Sequence, residues 1–400
     1  MIYLDNNATT ATDDRVVDRL AHTLRRGPAN ASSSHRGGQR AAAMISDATS
    51  SLSRSLGTPL GDPGCHRFVF TSGGTEANNL AIAGIKPAHG DSPLARTPLA
   101  RTPLWCSAIE HPSVLVAARA AAEAGRPVSM LDVDRRGTLR IDVLADRLAR
   151  HDGPPPVVAV MSANNETGVM QPIASVAALC AEHAAHLHVD ATQTIGKLPP
   201  PDWATDAGAA AIGSMTMAAH KFHGPPGVGG LVVAPGVEID AVIRGGGQQL
   251  DSRGGTEPVA LIDAMAWALA LATEEMEAAA RHTATMRDRL REIIVGGIGQ
   301  ADVVQHGGGA DRLPHTLCVS LLGVDRQSLL MALDMAGVAA GSGSACSSGS
   351  NPPSHVLIAM GCDDAQLRSA VRFGVSKWTT ADEIERAGEI VVRCARKLKK

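Results

Sequence analysis

The residues best suited to chemistry gather between positions 186 and 230. His188-Val189-Asp190 ends a short apolar run in an acid and continues into Ala191-Thr192-Gln193. Further on, His220-Lys221-Phe222-His223-Gly224-Pro225 sets a lysine between two histidines, just ahead of a Gly/Pro turn. A strand-end carboxylate can keep a pyridine nitrogen protonated, and a turn-borne amine can hold an aldehyde as an imine. These are the two requirements of a pyridoxal phosphate site. On spacing alone, the plainer reading of a surface lysine and an ordinary strand-terminal acid fits the same residues. The decision rests on the elements that have to position them.

The pattern from 104 to 240 alternates strand and helix: strands at 104–108, 128–131, 157–161 and 187–190, and helices at 113–124, 141–150 and 174–183. That rhythm predicts βαβ units and a mostly parallel sheet with helices on both faces, whose ligands sit at the carboxyl ends of the strands. Glu110-His111, Asn164-Asn165-Glu166 and Asp190 all fall at such ends. Upstream, Phe68-Val69-Phe70 runs into Thr71-Ser72-Gly73-Gly74-Thr75-Glu76 and then an apolar-periodic stretch to Ile85. Strand, Gly-rich turn and helix together aim backbone N–H groups at an anion, although a tight turn alone has the same look. Ahead of it, a short N-terminal strand enters a polar turn; Thr12 or Asp13 caps a first helix, and 37–56 is a second.

At 400 residues, with 44% hydrophobic residues, the chain can form two domains and bury a large core. Residues 1–15 read as an arm associated with the smaller domain and residues 16–258 as the large, cofactor-binding domain. A connecting amphipathic helix covers 259–294, and a small C-terminal domain covers 295–400 with a Gly/Ser-rich loop around Cys346. A net charge of −3 (37 Lys+Arg against 40 Asp+Glu) points away from nucleic acid or an anionic membrane and toward a small metabolite. Aromatic residues are only 2%, so base-stacking platforms are not expected. No run is long and apolar enough for a membrane span, and the N-terminus lacks a basic and apolar leader, so a cytoplasmic location is expected. The seven cysteines are scattered, without a CxxC pair, as reduced thiols are. The doubled pentad over 94–103, with Arg96 and Arg101, reads as an exposed insertion.

Taken together, the segments resemble the cysteine desulfurases of the class V aminotransferase group. The matching pieces are YLDNNATT from Tyr3, TSGGTEANN from Thr71, Glu110-His111, NNETG from Asn164, HVDATQ from His188, HKFHG from His220, Gly255-Thr256, SGSACSS from Ser342 and Val371-Arg372-Phe373. They cover essentially the whole chain in order. The resemblance implies an α/β structure of pyridoxal-phosphate fold type I: a mostly parallel central sheet with helices on both faces, plus a smaller α/β domain.

It also implies a set of roles. Lys221 carries pyridoxal 5'-phosphate, with His220 beside it. Asp190 faces the ring nitrogen, Gln193 the ring hydroxyl and His111 the ring face, where it also handles protons. Gly74 and Thr75 cradle the phosphate, and Thr256 reaches it from the second subunit of a homodimer. Asn165 and Arg372 clamp the substrate carboxylate, a two-oxygen target suited to a planar guanidinium. Cys346 is the nucleophile on a mobile, extended loop. It takes sulfur from L-cysteine as a persulfide, leaves L-alanine, and passes the sulfur to an acceptor protein, either an iron–sulfur scaffold or a tRNA-thiolation relay. A selenocysteine lyase or an aminotransferase on the same fold is the alternative, and a cofactor-less binding subunit a more distant one. Metal binding by the 15 histidines is not supported by a paired cysteine cluster. Two departures stand out. Ala218 stands in place of a phosphate-binding serine, so one contact is missing unless Ser214 or Thr216 substitutes, and ahead of Thr256 the common acid and arginine are replaced in Gln248-Gln249-Leu250-Asp251-Ser252-Arg253. Little of the tail that some relatives use to dock a scaffold follows the last helix.

Overall fold

The computed structural model describes residues 1–27, 30–86, 101–200, 212–342 and 352–399. Its strands are β1 (Ile2–Tyr3), β2 (Arg67–Thr71), β3 (Ile85–Lys86), β4 (Leu104–Ser107), β5 (Val128–Leu131), β6 (Val157–Met161), β7 (His186–Asp190), β8 (Ile212–Ala218), β9 (Gly229–Val233), β10 (Glu238–Ile239), β11 (Val303–Gln305), β12 (Thr316–Leu321), β13 (Val338–Ala339) and β14 (Ala370–Gly374). Its helices are α1 (Asp14–Arg25), α2 (Arg36–Leu56), α3 (Gly74–Gly84), α4 (Pro112–Glu123), α5 (Ile141–Ala149), α6 (Ile173–Glu182), α7 (Val259–Ile298), α8 (Arg326–Met335), α9 (His355–Ala359), α10 (Asp364–Ser369) and α11 (Ala381–Leu398).

The central sheet runs β2-β9-β8-β7-β6-β4-β5. Every neighbouring pair from β5 to β8 is parallel, and β9 is antiparallel to both β8 and β2. The strands at its centre are buried along their whole length, the Val157–Met161 run among them, as a sheet covered on both faces requires. Pairing sets Met161 beside Asp190 and Asp190 beside Thr216, so β6 and β7 end together and β8 runs two residues further at the same end of the sheet.

β8 and β9 do not announce themselves in the sequence. Glycine and methionine blur the alternation of β8. In β9, Gly230 lies so close to the Phe68 ring that a Cβ there would meet it at 2.1 Å. Close backbone approach, not β-propensity, selects that residue.

The 40-residue α7 continues past 294 to Ile298 and takes part in both cores. Its Ile262, Met265 and Leu269 pack with Val158, Val160, Leu187 and Met215, whereas Met286, Leu290 and Ile294 pack with Leu317, Val319, Phe373 and Ile384. Burying each such side chain is worth about 1.5–3 kcal/mol, so one helix anchors two units. The smaller unit carries an antiparallel β11-β12-β14 sheet. Ile2 and Leu4 are buried in its core, and β1 pairs in parallel with β13. Asp13, rather than Thr12, caps α1 by accepting from the Arg15 amide.

The reading of 94–103 as wholly exposed is corrected at its described end. Arg101 is exposed, but Thr102 and Pro103 are buried, and the Thr102 carbonyl accepts from Arg126 Nε at 2.8 Å. The buried guanidinium needs acceptors, and the chain entering β4 supplies one. Residues 94–100, with Arg96, lie outside the described residues.

Candidate active site

The strand ends, the first turn of α3, the N-terminal arm and β14 enclose a cleft of about 870 Å³. Lys221, Asp190, Gln193, His111, His220, Gly74, Thr75, Asn165 and Arg372 all line it. Thr256 does not: it is exposed on its own chain. Cys346 lies outside the described residues, although Gly341 and Ser342, which begin its loop, are in the cleft wall.

Lys221 ends a short 3-10 turn, Ala219–Lys221, that follows β8 directly. Its Nζ donates to the carbonyls of Asn7 and Ala8 at 2.6 and 2.7 Å. Burial is the main force lowering its pKa to about 8; the Arg372 charge adds to this, while Asp190 and Asp5 oppose it. Asp190, at the end of β7, accepts from the Thr192 amide at 3.0 Å and from Asn78 Nδ2 at 2.8 Å. His220 is pushed down to about 4, first by burial and then by the Lys221 charge, and its Nδ1 lies 3.2 Å from Thr9 Oγ1. His111 caps α4 with its own ring: Nδ1 accepts from the Ser113 amide at 3.1 Å, and Pro112 follows in the first turn. Burial lowers its pKa, partly offset by Asp190.

The opposite wall is built around Arg372 on β14. Its Nη2 donates to Asp5 Oδ1 at 2.6 Å and its Nη1 to the Asn165 carbonyl at 3.0 Å. The two predicted clamp residues are therefore in contact, through the backbone of Asn165 rather than its amide. Glu110 and Asn164 have structural tasks instead. Glu110 accepts from the Met161 amide at 2.6 Å, and burial, then the Asp190 charge, pushes its carboxyl well above the usual range. Asn164 Oδ1 accepts from the Glu166 and Thr167 amides, both at 2.9 Å. Sequence reasoning missed the Asn7 and Ala8 carbonyls, Asp5, Asn78, Ser113 and Thr192. The signals that could have found them are the YLDNNATT and TSGGTEANN stretches, in which no single residue had been given these tasks.

The donor set fits pyridoxal phosphate. Thr192 Oγ1, Gln193 Oε1, Asn7 Oδ1 and Arg372 Nε are buried and have no partner among the described residues, and all four residues line the cleft. A Cβ on Gly74 would come within 3.2 Å of Thr192 Oγ1 and 3.5 Å of Ala218, so the glycine keeps backbone open beside a hydroxyl at a helix N-terminus. Of the hydroxyls that might replace a serine at 218, Ser214 is committed to His186 and His188. Thr216 Oγ1 is buried without a partner among the described residues, and its methyl faces the Gly74 position. In the 248–253 stretch, Gln249 bonds both the amide and the carbonyl of Phe70, at 2.6 and 2.9 Å, and Arg253 pairs with Glu76.

The profile of the aminotransferase class-V family matches residues 2–387. The chain is similar to a cysteine desulfurase of Sinorhizobium fredii, at 37% identity over 100% of this chain and 97% of the relative. It is also similar to an IscS-like cysteine desulfurase of Mycobacterium tuberculosis, at 35% identity over 98% and 95% of the two chains. Among solved structures, a NifS-like protein superposes with a TM-score of 0.85 at 30% identity, covering 99% of this chain and all (100%) of the other. A match of this extent, over the same strand ends that form the cleft, shows that the chain belongs to the class-V aminotransferase family.

Proposed function

We infer that the protein is a pyridoxal-phosphate-dependent cysteine desulfurase, converting L-cysteine to L-alanine and holding the released sulfur as a persulfide. The observation that carries this reading is the opening of one amine, one acid and one guanidinium, those of Lys221, Asp190 and Arg372, on a single cleft. When bound, the cofactor supplies an electron sink for negative charge at the substrate Cα. Asp190 would keep a proton on the ring nitrogen, Gln193 would meet the ring hydroxyl and His111 the ring face, with His220 beside Lys221. Gly74, Thr75 and the Thr192 hydroxyl hold the phosphate.

Lys221, with its pKa near 8, has a usable fraction of uncharged amine at neutral pH, which an ordinary lysine lacks. That amine takes the Cα proton of the substrate. Arg372 and Asn165 bind the substrate carboxylate. The Cys346 thiolate then attacks the substrate sulfur. An S–S bond forms as Cβ–S breaks, and the electron pair of the broken bond stays with the carbon fragment, which takes up protons and leaves as L-alanine. Thr256, exposed on its own chain, would serve the phosphate site of a second copy in a homodimer. The persulfide sulfur passes to an acceptor protein, an iron–sulfur scaffold or a tRNA-thiolation relay, in the cytoplasm.

Alanine and sulfide release from L-cysteine tests the reading. Wild type is expected to release both in the presence of a thiol, and Cys346→Ala to lose the activity while retaining the cofactor. Alanine and sulfide release undiminished in Cys346→Ala would favour a selenocysteine-lyase type of cleavage that needs no protein thiol, and a wild type that transaminates L-cysteine without releasing alanine would favour an aminotransferase on the same fold.

A further inference from the structure

Asn78, Ser113 and His111 belong to a hydrogen-bond chain whose direction can be worked out from its fixed ends. Asn78 Nδ2 lies 2.8 Å from Asp190 Oδ2 and 2.8 Å from Ser113 Oγ, and Asn78 Oδ1 lies 3.1 Å from His188 Nε2. A carboxylate only accepts, so the Asn78 amide cannot be flipped and its Oδ1 must receive a proton from His188 Nε2. His188 is fully buried and neutral, its pKa pushed down to about 4 by burial, so its Nδ1 accepts from the Ser214 hydroxyl at 2.9 Å. Ser214 in turn accepts from His186 Nε2 at 3.1 Å.

On the other side, the Ser113 amide donates to His111 Nδ1, which must therefore carry a lone pair. The Ser113 hydroxyl accepts from Asn78 and lies 2.8 Å from the same nitrogen, and because that nitrogen has no hydrogen to give, the hydroxyl donates here. Two donors converge on Nδ1. The neutral imidazole has one proton left to place, and it sits on Nε2.

We propose that Asn78 and Ser113 are positioning residues that hold His111 as the neutral Nε2–H tautomer, so that His111 meets the substrate as a proton or hydrogen-bond donor and the first proton must be taken by Lys221. Protonating His111 would set a third hydrogen against the two donors on Nδ1. Asp190 favours that cation, whereas Lys221 and His355 oppose it. The chain links Asp190 to the His111 imidazole through Asn78 and then Ser113, so disturbing Asn78 reaches both.

The inference rests on His111 facing the cofactor, but its first readout, the protonation of the two ring nitrogens, needs no turnover. It can therefore fail while the desulfurase reading stands. The protein is labelled with ¹⁵N at histidine, and the His111 ring signals of the holoenzyme are assigned by their loss in His111→Gln. The expected result is an unprotonated Nδ1 and a protonated Nε2, unchanged on titration through neutral pH. Ser113→Ala is expected to shift the tautomer ratio toward Nδ1–H by about threefold to tenfold, the scale of one net hydrogen bond, and to move the acid limb of the L-cysteine pH profile upward. Ser113→Thr, which keeps the hydroxyl, restores both. A proton on Nδ1 in the wild type, or a Ser113→Ala spectrum and pH profile like those of wild type, overturns the proposal. The wild-type spectrum alone decides the tautomer if Ser113→Ala does not fold.

Discussion

Lys221 and Lys197 are both buried amines held below the ordinary lysine range, at about 8 and about 7, with burial the first cause in each. Their surroundings differ. The Lys221 amine is held by two backbone carbonyls and faces a large cleft with Asp190, Asp5 and Arg372. The Lys197 amine rests against His315 Nε2 at 3.3 Å and lines a separate pocket of about 50 Å³ with Lys377 and Glu275. A depressed lysine is therefore not yet a catalytic one. What separates the two, on the function proposed above, is an acid for a ring nitrogen, an anion cradle and room for a substrate, none of which the described residues around Lys197 provide.

The sharpest contrast comes from removing each amine. Lys221→Ala should lower alanine release by at least ~10³-fold, since a covalent anchor and a proton carrier are lost together. Lys197→Met should stay within several-fold of wild type, and an equal loss in both variants would break the distinction. Within the cleft, Asp190→Asn keeps the shape but removes the charge opposite the ring nitrogen. Turnover should fall by ~10²-fold, with a changed cofactor absorbance, as expected for loss of a preorganised charge.

The sequence already pointed to the cleft, though not to Lys197. Asp190, His111 and Asn165 were legible because alternating strand and helix put them at strand ends, and Gly74-Thr75 because a strand, two glycines and a helix follow one another. The carbonyls that hold Lys221 were not legible. They belong to residues more than two hundred positions away, 214 for Asn7 and 213 for Ala8, and a backbone oxygen leaves no mark on residue type. The same holds for the Asn165 carbonyl on Arg372, which the sequence could place near the arginine but not orient. Ser113 looked like an ordinary first-turn residue, because its use depends on His111 capping α4 with its own ring. Gln249 lies in the stretch that departs from the family pattern, and its pairing with both polar groups of Phe70 comes with a backbone φ of +50° that composition does not reveal.

A smaller effect separates the lysines by stability. Because Lys197 is held near 7 in the folded chain, the unfolded chain binds one more proton than the folded one between about 7 and its ordinary value of 10.5. Folding stability attributable to Lys197 therefore rises with pH across that window. The melting temperature of wild type relative to Lys197→Met should improve from pH 7 to pH 10, and a difference that stays flat or falls would contradict the burial of a neutral amine. Smallest of all, Asp5→Asn keeps an acceptor beside Arg372 but removes the competing charge. The KM for L-cysteine should fall ~3-fold with little change in kcat, the scale of a partly exposed ion pair. A raised KM would show Asp5 to be needed for orienting the guanidinium.

Borohydride reduction of the purified holoenzyme, followed by peptide mass spectrometry, bears most directly on the contrast between the two amines. The account predicts a single reduced pyridoxyl adduct, on Lys221. An adduct on Lys197, or a protein that binds pyridoxal phosphate yet yields no adduct, would contradict it.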